Sequence, residues 1–336
     1  MKNNFEEIYN DSLKKPEEFW KSISEDVFWF KKPTKILNKS NPPFYKWFED
    51  GVTNSCYNAL DYHIDQDRGD KTALIYDSPI TGNKAKFTFN ELKQKVSRFA
   101  GALDKQGVKK GDRVIIYMPM IPEAVIAMLA CGRIGAIHSV VFGGFASNEL
   151  ASRIDDSKAK VLITASCGFE PGRTVEYRPL VDGALKLAKH NVEKVILYQR
   201  KDHEVKLNPP LEISWEEALS NSKNVDCVEM KSNEYAYILY TSGTTGVPKG
   251  IVRDIGGHIV ALKWTMKNIY NIDTDDVWWS ASDIGWIVGH SYIVYAPLFK
   301  GCTTILFEGK PVGTPDAGAF WKIISDYKVK SLFTAP

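Results

Sequence analysis

The most regular alternation of apolar and polar positions begins at Thr88. Leu92, Val96, Phe99, Ala100 and Leu103 recur at i, i+4, i+7, i+8 and i+11, one stripe of a helix that ends at Gly107. Thr88 and Glu91 have capping-box spacing, so each side chain can accept from the other residue's backbone N–H. After the charged turn Lys109 to Arg113, Val114-Ile115-Ile116-Tyr117-Met118 is an unbroken apolar run, as a strand covered on both faces requires. Pro122 opens a second helix to about Gly135. Ile137 to Phe142 reads as a strand, Ser147 to Ile154 as a helix and Lys160 to Thr164 as a strand, followed by a helix Leu180 to Lys189 and a strand Val195 to Tyr198. This alternation predicts an α/β fold of open, mostly parallel sheets flanked by helices. Ligands then bind outside the carboxyl ends of the strands, where Phe142-Gly143-Gly144-Phe145 falls.

Upstream, residues 1–76 are rich in aromatics (Phe19, Trp20, Phe28, Trp29, Trp47, Phe48) without a clean period, and Pro33, Pro42 and Pro43 break them. They read as a helical, loop-rich cap whose rings anchor it to the body. Residues 77–230 form one α/β subdomain, the polar stretch Asp202 to Asn233 marks a boundary, and residues 231–336 form a second. The length, 336 residues, agrees with about two domains at about 150 residues each.

With 44% hydrophobic and 25% charged residues the chain is neither disordered nor collagen-like. Its 43 basic and 41 acidic residues leave a net charge of +2, too little to gather nucleic acid or an anionic membrane. The five cysteines, Cys56, Cys131, Cys167, Cys227 and Cys302, are spread too widely to suggest a disulfide framework or a zinc site. With no secretory signal and no apolar run of about 18 residues, they point to a cytoplasmic protein. His138 and His258 lie beside apolar runs and read as packing residues; His63, His190 and His203 read as surface. No cluster has metal-ligand spacing.

Chemistry concentrates where the strand-like Tyr235-Ala236-Tyr237-Ile238-Leu239-Tyr240 runs into Thr241-Ser242-Gly243-Thr244-Thr245-Gly246-Val247-Pro248-Lys249-Gly250. These ten residues hold four hydroxyls, three glycines and one lysine. Glycines let several backbone N–H groups approach an oxyanion, hydroxyls add donors, and lysine adds charge: a phosphate-gripping loop. It is not a Walker loop, because Pro248 precedes the lysine and Gly250 follows it. A strand-like Ile251-Val252-Arg253 comes next, so the loop joins two strands. The bland alternative is an exposed hairpin turn.

Thr241 to Gly250 resembles the phosphate-loop signature of the adenylate-forming superfamily. Trp47-Phe48, Asn54 to Asp61, Phe142-Gly143-Gly144-Phe145 and Ser282-Asp283-Ile284-Gly285-Trp286 are similar to segments of acetyl- and propionyl-CoA synthetases. The resemblance covers essentially the whole chain. It implies that ATP and a short carboxylate form an acyl-adenylate, which the thiol of coenzyme A then converts to a thioester and AMP. It further implies that Thr241, Ser242, Gly243, Thr244, Thr245 and Gly246 cradle phosphates with Lys249 as charge partner, and that Mg2+ arrives with ATP. By the same resemblance Trp286, Ile287 and Val288 line a small dry acyl pocket around a buried tryptophan, with His290 beside it. Phe142, Gly143 and Gly144 border the channel for the pantetheine arm of coenzyme A, and Gly172 and Arg173 meet its 3′-phosphate.

Three departures bear on substrate. Val288 stands where acetate-using members have threonine, and Arg253-Asp254 where they have a His-Thr pair; both resemble propionyl-CoA synthetases and imply propionate over acetate. Glu170 replaces an arginine found in many acetyl-CoA synthetases, leaving the 3′-phosphate to Arg173 alone or to groups outside this chain. The family's catalytic lysine is expected beyond residue 336, so this stretch alone is expected to be inactive. Two alternatives remain: a chain that binds nucleotide without completing a reaction, and a peptide-synthetase adenylation domain, which the aromatic cap disfavours.

Overall fold

The computed structural model describes residues 5–241, 248–310 and 313–335. Its larger sheet has seven strands in the order Glu212–Ser214, Lys194–Tyr198, Val161–Ala165, Arg113–Tyr117, Ile137–Val140, Tyr235–Thr241 and Lys249–Asp254. All neighbours run parallel except the last pair, an antiparallel edge hairpin. A second sheet has five strands in the order Ser331–Phe333, Val277–Ser280, Thr303–Phe307, Thr72–Ser78 and Asn83–Thr88, again parallel except at the last pair.

Local signals act as the pattern predicts. The Thr88 hydroxyl accepts from the Glu91 N–H while the Glu91 carboxylate accepts from the Thr88 N–H, and the helix Phe89–Lys105 buries Leu92, Val96, Phe99, Ala100 and Leu103. Val114 to Tyr117 are buried on both faces, and Pro122–Arg133 is a helix buried almost all round.

The sheets do not follow the expected divisions after residues 76 and 230. Strand Thr72–Ser78 crosses the first boundary and pairs with Thr303–Phe307, while Tyr235–Thr241 joins the sheet built from the preceding subdomain. Pairing follows which apolar faces can meet, and Thr304 faces Leu74 across most of the chain.

The aromatic N-terminal segment docks as expected. Trp29 and Phe48 are buried, and Trp20 meets both Trp47 and Trp264 edge-on. His63 departs from its surface reading: it is buried, and its Nε2–H donates to the Leu298 carbonyl at 2.7 Å. Gly301 makes this possible, since a Cβ there would lie 2.6 Å from the imidazole, and its φ of +81° suits glycine. Arg133, fully buried, forks onto Asp61 at 2.7 and 3.0 Å and donates to the Val225 carbonyl at 2.6 Å. One guanidinium thus joins a helix end, the cap and the irregular segment before residue 230. No helix among the described residues is long and apolar enough to cross a membrane.

Candidate active site

The edge hairpin flanks the loop expected to grip phosphate. Its ladder closes at Thr241 opposite Lys249, both exposed. Ser242, Gly243, Thr244, Thr245 and Gly246 lie outside the described residues. As expected, the loop joins two strands and the next helix, Gly256–Asn268, starts later.

Beside this hairpin, the Phe142 to Phe145 turn leaves the carboxyl end of strand Ile137–Val140, where parallel sheets offer their ligand crevice. Two tyrosines shape it. The Tyr117 hydroxyl donates to the Phe145 carbonyl at 2.7 Å, and a Cβ on Gly143 would lie 2.0 Å from the Tyr177 hydroxyl. Only glycine fits at residue 143 with that phenol in place. Burial pushes the Tyr177 phenol well above its usual range, so it stays protonated. Arg153, which no motif singles out, stacks over Phe145 at 4.8 Å and over Tyr240 at 5.3 Å, coupling this turn to strand Tyr235–Thr241.

The segment after strand Val277–Ser280 packs onto the same turn. A Cβ on Gly285 would lie 2.8 Å from the Phe142 Cα, so the close approach of the two backbones requires glycine. The Asp283 carboxylate accepts from the Gly285 N–H at 2.7 Å, and its burial raises its pKa against the opposing pull of Lys310. Between the two segments lies a cavity of about 180 Å³, lined among others by Phe142, Gly143, Gly144, Glu170, Asp283 and Lys310.

The expected buried tryptophan is corrected. Trp286 is 46% exposed and Ile287 50% exposed, while Val288 is half-buried. The ring of Trp286 meets Phe142 at 5.5 Å and Phe145 at 5.9 Å, which covers one side only. These residues do not line the cavity; they form an open aromatic shelf next to it. Below the shelf, His290 is fully buried, its Nε2 lies 3.0 Å from that of His138, and Tyr295 reaches the same His138 nitrogen at 3.2 Å. Burial holds His138 near 3 and His290 well below its usual value, so both are neutral. His138 and His258 are packing residues, as their apolar flanks imply.

Gly172 and Arg173 sit on the hairpin of strands Cys167–Glu170 and Arg173–Glu176, whose tight turn uses the positive φ (+75°) of Gly172. Arg173 projects into solvent and is held by Glu170 at 2.6 Å. Glu170 thus neutralises Arg173, and it also lies 3.7 Å from Lys310.

The profile of AMP-binding enzymes matches residues 61–336, and that of the acetyl-coenzyme A synthetase N-terminus matches residues 5–59. The chain is 54% identical over 326 residues to "Acyl-CoA synthetase short-chain family member 3, mitochondrial" of Homo sapiens, covering 97% of this chain and 48% of that protein. It is 45% identical over 321 residues to "Acetyl-coenzyme A synthetase" of Methylobacillus flagellatus, covering 95% and 49%. Among solved structures, acetoacetyl-CoA synthetase from Streptomyces lividans superposes with a TM-score of 0.88 at 26% identity, over 97% of this chain and 49% of that one. The chain spans about half the length of the curated relatives it matches. With a profile match over most of its length and a match to the acetyl-coenzyme A synthetase N-terminus ahead of it, the chain belongs to the AMP-binding enzyme family.

Proposed function

We propose that the full-length protein is an AMP-forming acid:CoA ligase that prefers propionate. The observation that carries this reading is the meeting, through Arg153, of the phosphate-loop hairpin with the Phe142 to Phe145 turn and the Asp283 to Val288 segment. A carboxylate oxygen attacks the α-phosphorus of ATP, expelling pyrophosphate; the thiol of coenzyme A then attacks the acyl carbon, expelling AMP. Both steps build charge on a leaving phosphate. Lys249 and the Thr241 to Gly246 loop hold the charge on the departing pyrophosphate, and positioned donors are worth most where water is excluded.

Gly143 and Gly144 line the cavity and keep their backbone close to the Tyr177 hydroxyl and the Phe142 ring, which suits a wall for a thin pantetheine arm. Mg2+ accompanies the nucleotide. Among the described residues the one group with metal-ligand geometry, Cys56, Asp61 and Cys227, lies around Arg133 and away from the cavity.

The preference for propionate rests on Val288, whose side chain replaces a hydroxyl by a methyl group, and on Arg253-Asp254. Steady-state kcat/KM of the full-length protein for acetate, propionate and butyrate tests the reading, with propionate expected highest; a higher value for acetate overturns it. We place the protein in the cytoplasm, in keeping with its five free thiols; cell fractionation tests this.

A further inference from the structure

Cys56 and Cys227 stand far apart in sequence and belong to different parts of the fold. Cys56 opens the turns Tyr57–Asp61, and Cys227 lies in the irregular segment between helix Trp215–Leu219 and strand Met230–Lys231. Their Sγ atoms and a carboxylate oxygen of Asp61 all lie within 4.8 Å of one another. The Arg133 Nη1 lies 3.1 Å from the Cys227 sulfur, 3.6 Å from the Cys56 sulfur and 2.7 Å from Asp61. Lys93 reaches Asp61 from a third element at 3.2 Å. A cation is therefore already present where a metal ion would sit, and the arrangement is not read as a metal site.

We propose that Cys56 and Cys227 are a redox pair that a peroxide converts into a disulfide, clamping the N-terminal segment to the segment that leads into the phosphate-loop strand. Cys227 is the partly exposed member, whereas Cys56 is fully buried. That order fits an attacking and a resolving thiol. The Cys227 sulfur, beside the Arg133 guanidinium, attacks one oxygen of hydrogen peroxide while the thiol proton passes to the departing oxygen. The O–O bond breaks, one water leaves and Cys227 becomes a sulfenic acid. The Cys56 sulfur then attacks the Cys227 sulfur, the S–O bond breaks and a second water leaves. Two thiols and one peroxide give one disulfide and two waters.

The bond needs an S–S distance of about 2.05 Å. Cys227 lies outside any helix or strand, so its segment can supply the movement without breaking a ladder. Asp61 keeps Arg133 paired after the thiols are consumed, so oxidation leaves no buried charge alone. Desolvation pushes the Cys227 thiol well above its ordinary range, which makes the reaction slow and confines it to sustained peroxide.

The test uses the whole chain, treated with hydrogen peroxide while folded, then denatured and titrated for thiols. The count is expected to fall from the five cysteines of the sequence to three, with the Cys56 and Cys227 peptides joined in a digest and separated again by dithiothreitol. The Cys227→Ser chain should lose no pair of thiols. Retention of five thiols, an oxygen adduct on Cys227 without a cross-link, or a cross-link to another cysteine would each overturn the proposal. Because the digest of the unsubstituted chain decides by itself, a failure of Cys227→Ser to fold leaves the test intact.

Discussion

Arg200 forks onto Glu308 at 2.8 and 3.2 Å, with both side chains buried, and so joins the end of a strand in one sheet to the end of a strand in the other. Tyr76 donates to the same carboxylate, and Arg200 lies over the Phe169 ring at 4.6 Å. This is the polar seam between the sheets, beside the candidate cavity. Removing one member leaves the other charge buried, so Arg200→Ala should cost about 3 to 5 kcal/mol. Replacing both by apolar residues should cost much less. Urea unfolding of the single and double variants measures the difference.

Gly143→Ala should disturb the Phe142 to Phe145 turn, because the added methyl would meet the Tyr177 hydroxyl. A loss of about 1 to 3 kcal/mol follows from overpacking. Tyr177→Phe removes the clashing oxygen and should recover part of it. A double-mutant cycle by denaturant titration reads the coupling, and additive effects would contradict the close approach.

Glu170 and Arg173 neutralise one another on the hairpin. If Arg173 meets the 3′-phosphate of coenzyme A, Glu170→Gln should lower KM for coenzyme A in the full-length protein by a few-fold, the effect of freeing an exposed pair worth about 0 to 1 kcal/mol. Arg173→Ala should raise KM for coenzyme A more than KM for ATP. Equal effects on both substrates would remove the assignment.

His63, His138 and His258 are held neutral by burial, with values near 4, 3 and 3. In the unfolded chain each titrates near 6.5. Between these limits the unfolded state binds more protons, so stability falls as pH drops from 6.5 towards 4. For His63 alone the loss approaches about 3 kcal/mol at pH 4, at about 1.4 kcal/mol per unit. Urea midpoints at pH 7.5, 6 and 5 should decline in that order, and a His63→Gln chain that remains folded should decline less steeply.

Features set by neighbours in the chain were readable before the structure. The Thr88–Glu91 box and the stripe Leu92 to Leu103 each depend on residues a turn apart, and both appear as expected. The stretch Thr241 to Gly250 stood out for the same reason, since its glycines, hydroxyls and lysine are consecutive, and Ser242 to Gly246 lie outside the described residues. Periodicity says which face is covered but not what covers it. The pairing of Thr304 with Leu74, the Arg133–Asp61 fork and the burial of His63 under Gly301 all depend on distant partners. Trp286 misled because bulky apolar residues are usually buried, whereas here only one side meets other rings.

The interleaving of the two sheets also orders events during synthesis. The strands Thr72–Ser78 and Asn83–Thr88 are made early, yet Thr303–Phe307, which completes the pairing of the first, emerges more than two hundred residues later. A two-stranded hairpin is marginal in water by itself. Until that late strand arrives, Ala73, Leu74, Ile75 and Tyr76 have no parallel neighbour, and the nascent chain presents an apolar edge to whatever chaperone or neighbouring ribosome product is at hand.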